Sequence, residues 1–327
     1  MRVTEPMDVI CPPSPHPADT AALESVARRL ITTASGDIDD GKWVDAARSG
    51  WEDVPAALRR TIHDFRRHSG PDGHLLLRGL PVPVDELPET PSVSGSVQLE
   101  ASVPAGLLVT MACGLGEPFA FLAEKSGALV QDVVPVPGNE SFQGNEGSVK
   151  LTFHNENAFH EHRPDYVLLL CLRQDHEGVA GLRTACIRSV LPYLDPVTLR
   201  ALFAEEFVTS PPPSFGTAGC STRPHPVLSG ASDDPDLRVD FAATQPLTAH
   251  AASALRRLEE LFELTAATVL LRPGDMAIVD NRVAVHGRTA FQPHYDGRDR
   301  WLQRTFVSVD LRRCRALRPD DGHVLVG

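Results

Sequence analysis

Several things are scarce in this chain, and each scarcity removes a class of function. The six cysteines, Cys11, Cys113, Cys171, Cys186, Cys220 and Cys314, are scattered with no C-x-x-C pair, which argues against a structural zinc site. Cys171 and Cys186 sit in apolar runs and read as small core residues. No apolar run approaches the roughly 20 residues a bilayer span needs, so no membrane partner is expected. The N-terminus lacks a charged segment followed by an apolar one, so no signal peptide is read and a reducing cytoplasm is the expected compartment. Dense basic runs are missing outside residues 298–315, where arginines alternate with apolar residues, and the net charge is −12; nucleic acid is not an expected partner.

What is present suits a soluble globular chain: 327 residues, 42% hydrophobic, with no internal repeat. Residues 1–18 are Pro-rich and read as a disordered lead-in. Helical spacing follows from Asp19 (Ala22, Val26, Leu30) and over 54–67 (Leu58, Ile62, Phe65). A short strand at 74–80 and a buried helix at 105–113 come next. Strands are expected at 128–136, from 149 to a bend after Asn157, and at 166–172, 183–187, 237–241, 268–271, 276–280 and 301–311, and helices at 196–207 and 247–264. Helices first and many short strands afterwards predict a mainly β jelly-roll core, one domain over 19–327 with a helical buttress at 19–116. Residues 210–236 are long, polar and aperiodic; an active-site lid and a disordered surface insertion both fit.

The chemistry centres on VKLTFHNENAFH, residues 149–160. On a strand, residues two apart share a face, so His154 and Glu156 project together. An H-x-E triplet is by itself a weak signal. His286, behind the turn Pro273-Gly274-Asp275 and a further strand, supplies a second imidazole over a hundred residues on. Two imidazoles and a carboxylate make the facial triad of a non-heme Fe(II) site, with three positions left open. Arg300 and Arg304 fall in or beside the last strand, and four residues apart there puts them on the same face, so both guanidiniums can enter one pocket; inward guanidiniums are costly unless they meet anions, and carboxylates fit them.

HNENAFH, RPDYVLLLCLRQD, PGDMAIVDNRVAVHGR and WLQRTFVSVDLRR together resemble the clavaminate synthase-like Fe(II)/2-oxoglutarate dioxygenases, the branch with arginine, lysine and asparagine hydroxylases of antibiotic biosynthesis. The resemblance spans 128–313. It implies iron on His154, Glu156 and His286, and 2-oxoglutarate held through its far carboxylate by Arg300 and Thr184. It further implies that Arg304 meets the substrate α-carboxylate and that Asp240 holds a basic or amide side chain. Gln131 is a candidate pocket residue. His160, His162 and His176 read as surface residues or as residues behind the ligands.

One position departs from the pattern: Gly144 stands where relatives tend to carry a serine that bonds the substrate carboxylate. The expected reaction is hydroxylation of an unactivated C–H of an amino acid, using Fe(II), 2-oxoglutarate and O2 and needing no general base. The Gly144 departure leaves room for a cyclic dipeptide or carrier-tethered residue, with desaturation or ring closure as further outcomes. A jelly-roll protein that binds without catalysis is the reading from another class. Zinc hydrolysis is disfavoured, because it leaves Arg300 unexplained.

Overall fold

A computed structural model describes residues 17–32, 36–216 and 222–326. The expected lead-in therefore lies outside the described residues, except that Pro17 and Ala18 already open the first helix.

Four helices precede most of the sheet: α1 Pro17–Ile31, α2 Gly41–Gly50, α3 Ala56–His68 and α4 Val103–Leu115. Strands β1 His74–Leu77, β2 Val97–Gln98, β3 Glu117–Phe121, β4 Val130–Val133 and β5 Leu151–His154 lead to the site. Then come β6 Tyr166–Arg173, β7 Leu182–Cys186, the single turn α5 Ile187–Val190, α6 Pro196–Leu202, β8 Phe207–Thr209, β9 Leu228–Ala231, β10 Asp234–Leu237 and β11 Thr244–Pro246. Helix α7 Ala249–Thr265 precedes β12 Ala267–Val269, β13 Met276–Asp280, β14 Ala284–Arg288, β15 Trp301–Ser308 and β16 Val324–Leu325.

An eight-stranded sheet runs β1-β13-β6-β15-β3-β16, with β4 and β2 added beside β15. A four-stranded sheet runs β12-β7-β14-β5. Period-two alternation divides their side chains. Leu169, Cys171, Leu302 and Phe306 of the large sheet meet Leu182 and Val269 of the small one in the interior cluster. The opposite face of the large sheet, Leu168, Leu170 and Ile278, packs on α1–α4. The outer face of the small sheet, Ala185, Val285 and Phe153, packs on α7 through Leu258 and Phe262. The result is the expected jelly roll with helical buttresses.

Three local expectations change. Helix α2 lay undetected, because its apolar residues are only Trp43, Val44, Ala46 and Ala47 between two glycines; Asp40 caps it by accepting from Lys42 N at 2.8 Å. The strand expected over 237–241 ends at Leu237. Beyond it Asp240 makes an isolated bridge with His154, held by Asn155 N donating to Val239 O at 2.7 Å. The stretch 210–236 is not aperiodic throughout, since β9 and β10 form a hairpin with Leu228 opposite Leu237, both buried. At the Pro273-Gly274-Asp275 turn, Gly274 has φ +85°, and a Cβ there would stand 2.5 Å from Leu80 O, so glycine is required.

Candidate metal centre and substrate pocket

Strand pairing assembles the centre. His286 on β14 is the direct partner of His154 on β5 and of Thr184 on β7, so three side chains from three strands share the interior face. Strand β5 ends at His154, and the chain turns at Asn157, φ +51°. Glu156 is therefore placed by the turn, not by strand alternation. Asn281, between β13 and β14, fixes it. Its Oδ1 accepts from Glu156 N at 2.7 Å, and its Nδ2 donates to Glu156 O at 3.0 Å.

Ligand atoms of His154, Glu156 and His286 all lie within 4.8 Å of one another. The imidazole centroids are 4.4 Å apart, and His286 Nε2 is 3.6 Å from Glu156 Oε2. His154 Nδ1 lies 3.0 Å from Thr152 O, which fixes the proton there and leaves the Nε2 lone pair free. His286 is buried, and its Nδ1 has no hydrogen-bond partner among the described residues. Burial, then the neighbouring His154, lowers the His286 pKa and keeps the ring neutral. Burial favours the neutral acid at Glu156 too, but the Arg304 guanidinium and the hydrogen-bonding contact with His286 outweigh it and hold the carboxyl well below its usual range. Two imidazoles and an ionised carboxylate are a fitting donor set for a first-row divalent ion.

Beside the centre opens a cleft of about 580 Å³. Its walls include Glu124, Asn145, Glu156, Asp240, Gly144 and Phe215. Arg304 Nη1 donates to Glu156 Oε2 at 2.9 Å, while its Nη2 bonds Glu124 and Gln131. The Asn145 amide, turned with oxygen toward Arg304, accepts from both terminal nitrogens at 3.0 and 2.9 Å. Asp240 accepts from Ala242 N through Oδ1 at 2.8 Å and lies at the cleft wall. Gly144 also lines it; an added Cβ would come 2.4 Å from the Phe142 ring, a side chain about half exposed and able to move. Pro211, Pro212 and Phe215 reach the cleft from the segment expected to be a lid or an insertion.

Arg300 lies deeper and is buried, 6% exposed, with its guanidinium 5.8 Å from the Phe291 ring centre. The nearby Cys171 thiol is pushed up to about 12 by burial, so it brings no negative charge. Thr184 Oγ1 lies 3.2 Å from His74 Nδ1. Away from the centre, His176 and His294 stack at 4.0 Å on the surface, each paired with a carboxylate (Asp296 and Glu177). His160 packs edge-on against Phe121 at 4.7 Å.

Sequence reasoning did not single out Glu124, Asn145, His74, Arg288, Asn155 or Asn281. Arg288 carried a signal, since it follows His286 by two residues on one strand and so shares its face. Glu124 carried none: it stands 180 residues from Arg304, in a turn after β3.

Residues 213–306 match the family model described as "Taurine catabolism dioxygenase TauD, TfdA family". L-asparagine oxygenase of Streptomyces coelicolor is 63% identical over 94% of this chain and 92% of its own. Clavaminate synthase 2 of Streptomyces clavuligerus is 33% identical over 82% of this chain and 84% of its own. A solved structure of asparagine oxygenase with Fe(II), 2S,3S-3-hydroxyasparagine and succinate has a TM-score of 0.94, 62% identity, and covers 96% of this chain and 98% of that one.

Proposed function

The chain belongs to the TauD/TfdA family, in its clavaminate synthase-like branch of Fe(II)/2-oxoglutarate-dependent amino-acid hydroxylases, and from that premise we propose that its substrate is free L-asparagine, hydroxylated at C3. The balance is L-asparagine, 2-oxoglutarate and O2 giving 3-hydroxyasparagine, succinate and CO2.

The observation that carries the choice of a free amino acid is the Arg304–Glu124 pair, in which Glu124 lines the cleft and Arg304 is buried directly behind it. A zwitterion presents a carboxylate and an ammonium two bonds apart. Arg304 answers the first with a guanidinium fork and Glu124 answers the second. A cyclic dipeptide offers neither charge, and a carrier-tethered residue lacks the carboxylate, so both would leave a buried charge poorly matched. Asp240, on the same wall, suits the N–H donors of a side-chain amide. Asn145 and Gln131 hold the Arg304 fork in place from either side. Gly144 leaves Asn145 to do what a serine hydroxyl would do elsewhere.

His154, Glu156 and His286 would hold Fe(II), whose contribution is to couple O2 reduction to decarboxylation of the keto acid and to oxidation of an unactivated C–H bond. Arg300 and Thr184 would bind the far carboxylate of 2-oxoglutarate. The protein's own work is to orient C3 and exclude water, and no side chain serves as general base. Pro211, Pro212 and Phe215 are suited to cover the cleft once substrate is bound.

The test is a panel of L-asparagine, L-glutamine, L-aspartate, L-arginine, L-lysine and cyclic dipeptides with Fe(II), 2-oxoglutarate and air, scored by mass. A gain of one oxygen with L-asparagine at the highest kcat/KM supports the reading. Preference for a basic or cyclic substrate overturns it.

A further inference from the structure

We propose that Arg288 is a second anchor for the far carboxylate of 2-oxoglutarate, acting beside Arg300, so that the cosubstrate is selected by two guanidiniums. This rests on the functional reading above and adds a residue to it.

The placement comes from strand geometry. On β14, His286 and Arg288 are two apart and share the interior face, while Val285 packs outward under α7. Arg288 stands opposite Leu182 on β7, two residues below the His286–Thr184 pair. It is therefore one step deeper in the barrel than the metal-ligand candidate. A keto acid gripped at one end beside His286 extends its other end in this direction.

The burial is what asks for a ligand. Arg288 is 4% exposed, and Arg300 is 6% exposed. Both guanidiniums lie over one ring, Phe291, at 5.3 and 5.8 Å from its centre. Arg288 Nη2 donates to Val149 O at 3.0 Å, but its Nε is buried without a partner among the described residues. No ion pair engages either arginine among the described residues, although Arg304 nearby has two. Two like charges brought together in a dry interior, with only the Asp175 carboxylate acting on Arg300 from beyond ion-pair distance, are strongly unfavourable. A purely structural strut to Val149 O would need neither a full charge nor a position beside a second one. A ligand carboxylate supplies the missing charge and an acceptor for the open N–H groups.

The experiment measures binding, not turnover. Anaerobic Fe(II) protein is titrated with 2-oxoglutarate and, separately, with 2-oxovalerate, which keeps the keto-acid end and lacks the far carboxylate; the visible charge-transfer band reports occupancy. Arg288→Met should weaken 2-oxoglutarate about 10- to 100-fold, the loss expected for a charged hydrogen bond, and change 2-oxovalerate less than about twofold. Arg288→Lys should fall between, and it carries the comparison should the Met variant fail to fold. Equal weakening of both keto acids would make Arg288 a strut and overturn the proposal, as would unchanged 2-oxoglutarate affinity. A wild-type protein that gives no band with 2-oxoglutarate would overturn the functional reading itself, a result separate from either of these.

Discussion

Asn155 and Asn281, 126 residues apart, are hooked together in the interior: Asn155 Nδ2 donates to Asn281 O at 2.9 Å. Each also reaches past the other. Asn155 bonds Ala284 O at 2.9 Å and accepts from Val239 N at 2.9 Å, while Asn281 bonds both main-chain groups of Glu156 and Pro164 O. The residue between His154 and Glu156 and the turn before His286 are thus one unit. The candidate metal ligands owe their mutual distances to it.

Asn281→Ala removes the partner of Glu156 N, Glu156 O and Pro164 O at once. Stability should fall by about 2–4 kcal/mol, the cost of leaving buried backbone groups unpaired. Fe(II) affinity should fall with it. Thermal unfolding and an Fe(II) titration check both; lost stability with unchanged Fe(II) affinity would limit Asn281 to a structural role.

Glu124→Gln should raise KM for L-asparagine about 10- to 100-fold, since a charged hydrogen bond to the α-ammonium becomes a neutral one. Affinity for 2-oxoglutarate should hold. Succinamate, which lacks the amino group, should bind the variant and the wild type alike. A similar loss for succinamate would show that Glu124 acts only by positioning Arg304.

Asp240→Ala should raise KM for L-asparagine about tenfold and lower the yield of hydroxylated product per succinate, because a loosely held side chain lets the keto acid be consumed without product. Binding of 2-aminobutyrate, which has no amide, should be unaffected. Equal weakening of both amino acids would remove Asp240 from amide recognition.

Acidification should destabilise the fold through His225. Its Nδ1 donates to Pro226 O at 2.9 Å and its Nε2 meets Thr209 Oγ1 at 2.9 Å; burial lowers its pKa to about 4. The folded state therefore resists a proton that the unfolded chain accepts near pH 6.5. Between those values the unfolded state binds more protons, so stability is full above pH 6.5 and falls as pH drops toward 4, by ~2 kcal/mol after allowing for partial solvent access. Thermal unfolding between pH 7 and 4 should show this slope, and His225→Gln should flatten part of it.

The regular parts of the fold were legible because their signals are local. Met276–Asp280 matches its expected bounds, since a Pro-Gly-Asp turn and an Asp-Asn-Arg turn bracket five buried residues. Helix α4 was visible as an apolar run, though it starts earlier, at Val103, with Ser102 capping Ala105 N. Strand β3 was not visible, because Pro118 and its brevity conceal a partner of β15. At the site, strand parity points to His154, His286 and Arg304, which do lie on strands; Glu156 and Arg300 stand just outside the strands whose alternation suggested them, Glu156 in the turn after β5 and Arg300 one residue before β15. Glu124 and Asn145 were not legible, because they stand in turns and meet Arg304 only through tertiary packing, which has no period in the sequence.

The most direct test of the account is turnover of L-asparagine under 18O2 with Fe(II) and 2-oxoglutarate, run on the wild type and on His286→Ala. One 18O atom in 3-hydroxyasparagine and one in an equimolar amount of succinate, with neither product from His286→Ala, is the predicted result. Full turnover by His286→Ala, or wild-type product whose hydroxyl carries oxygen from water alone, would contradict it.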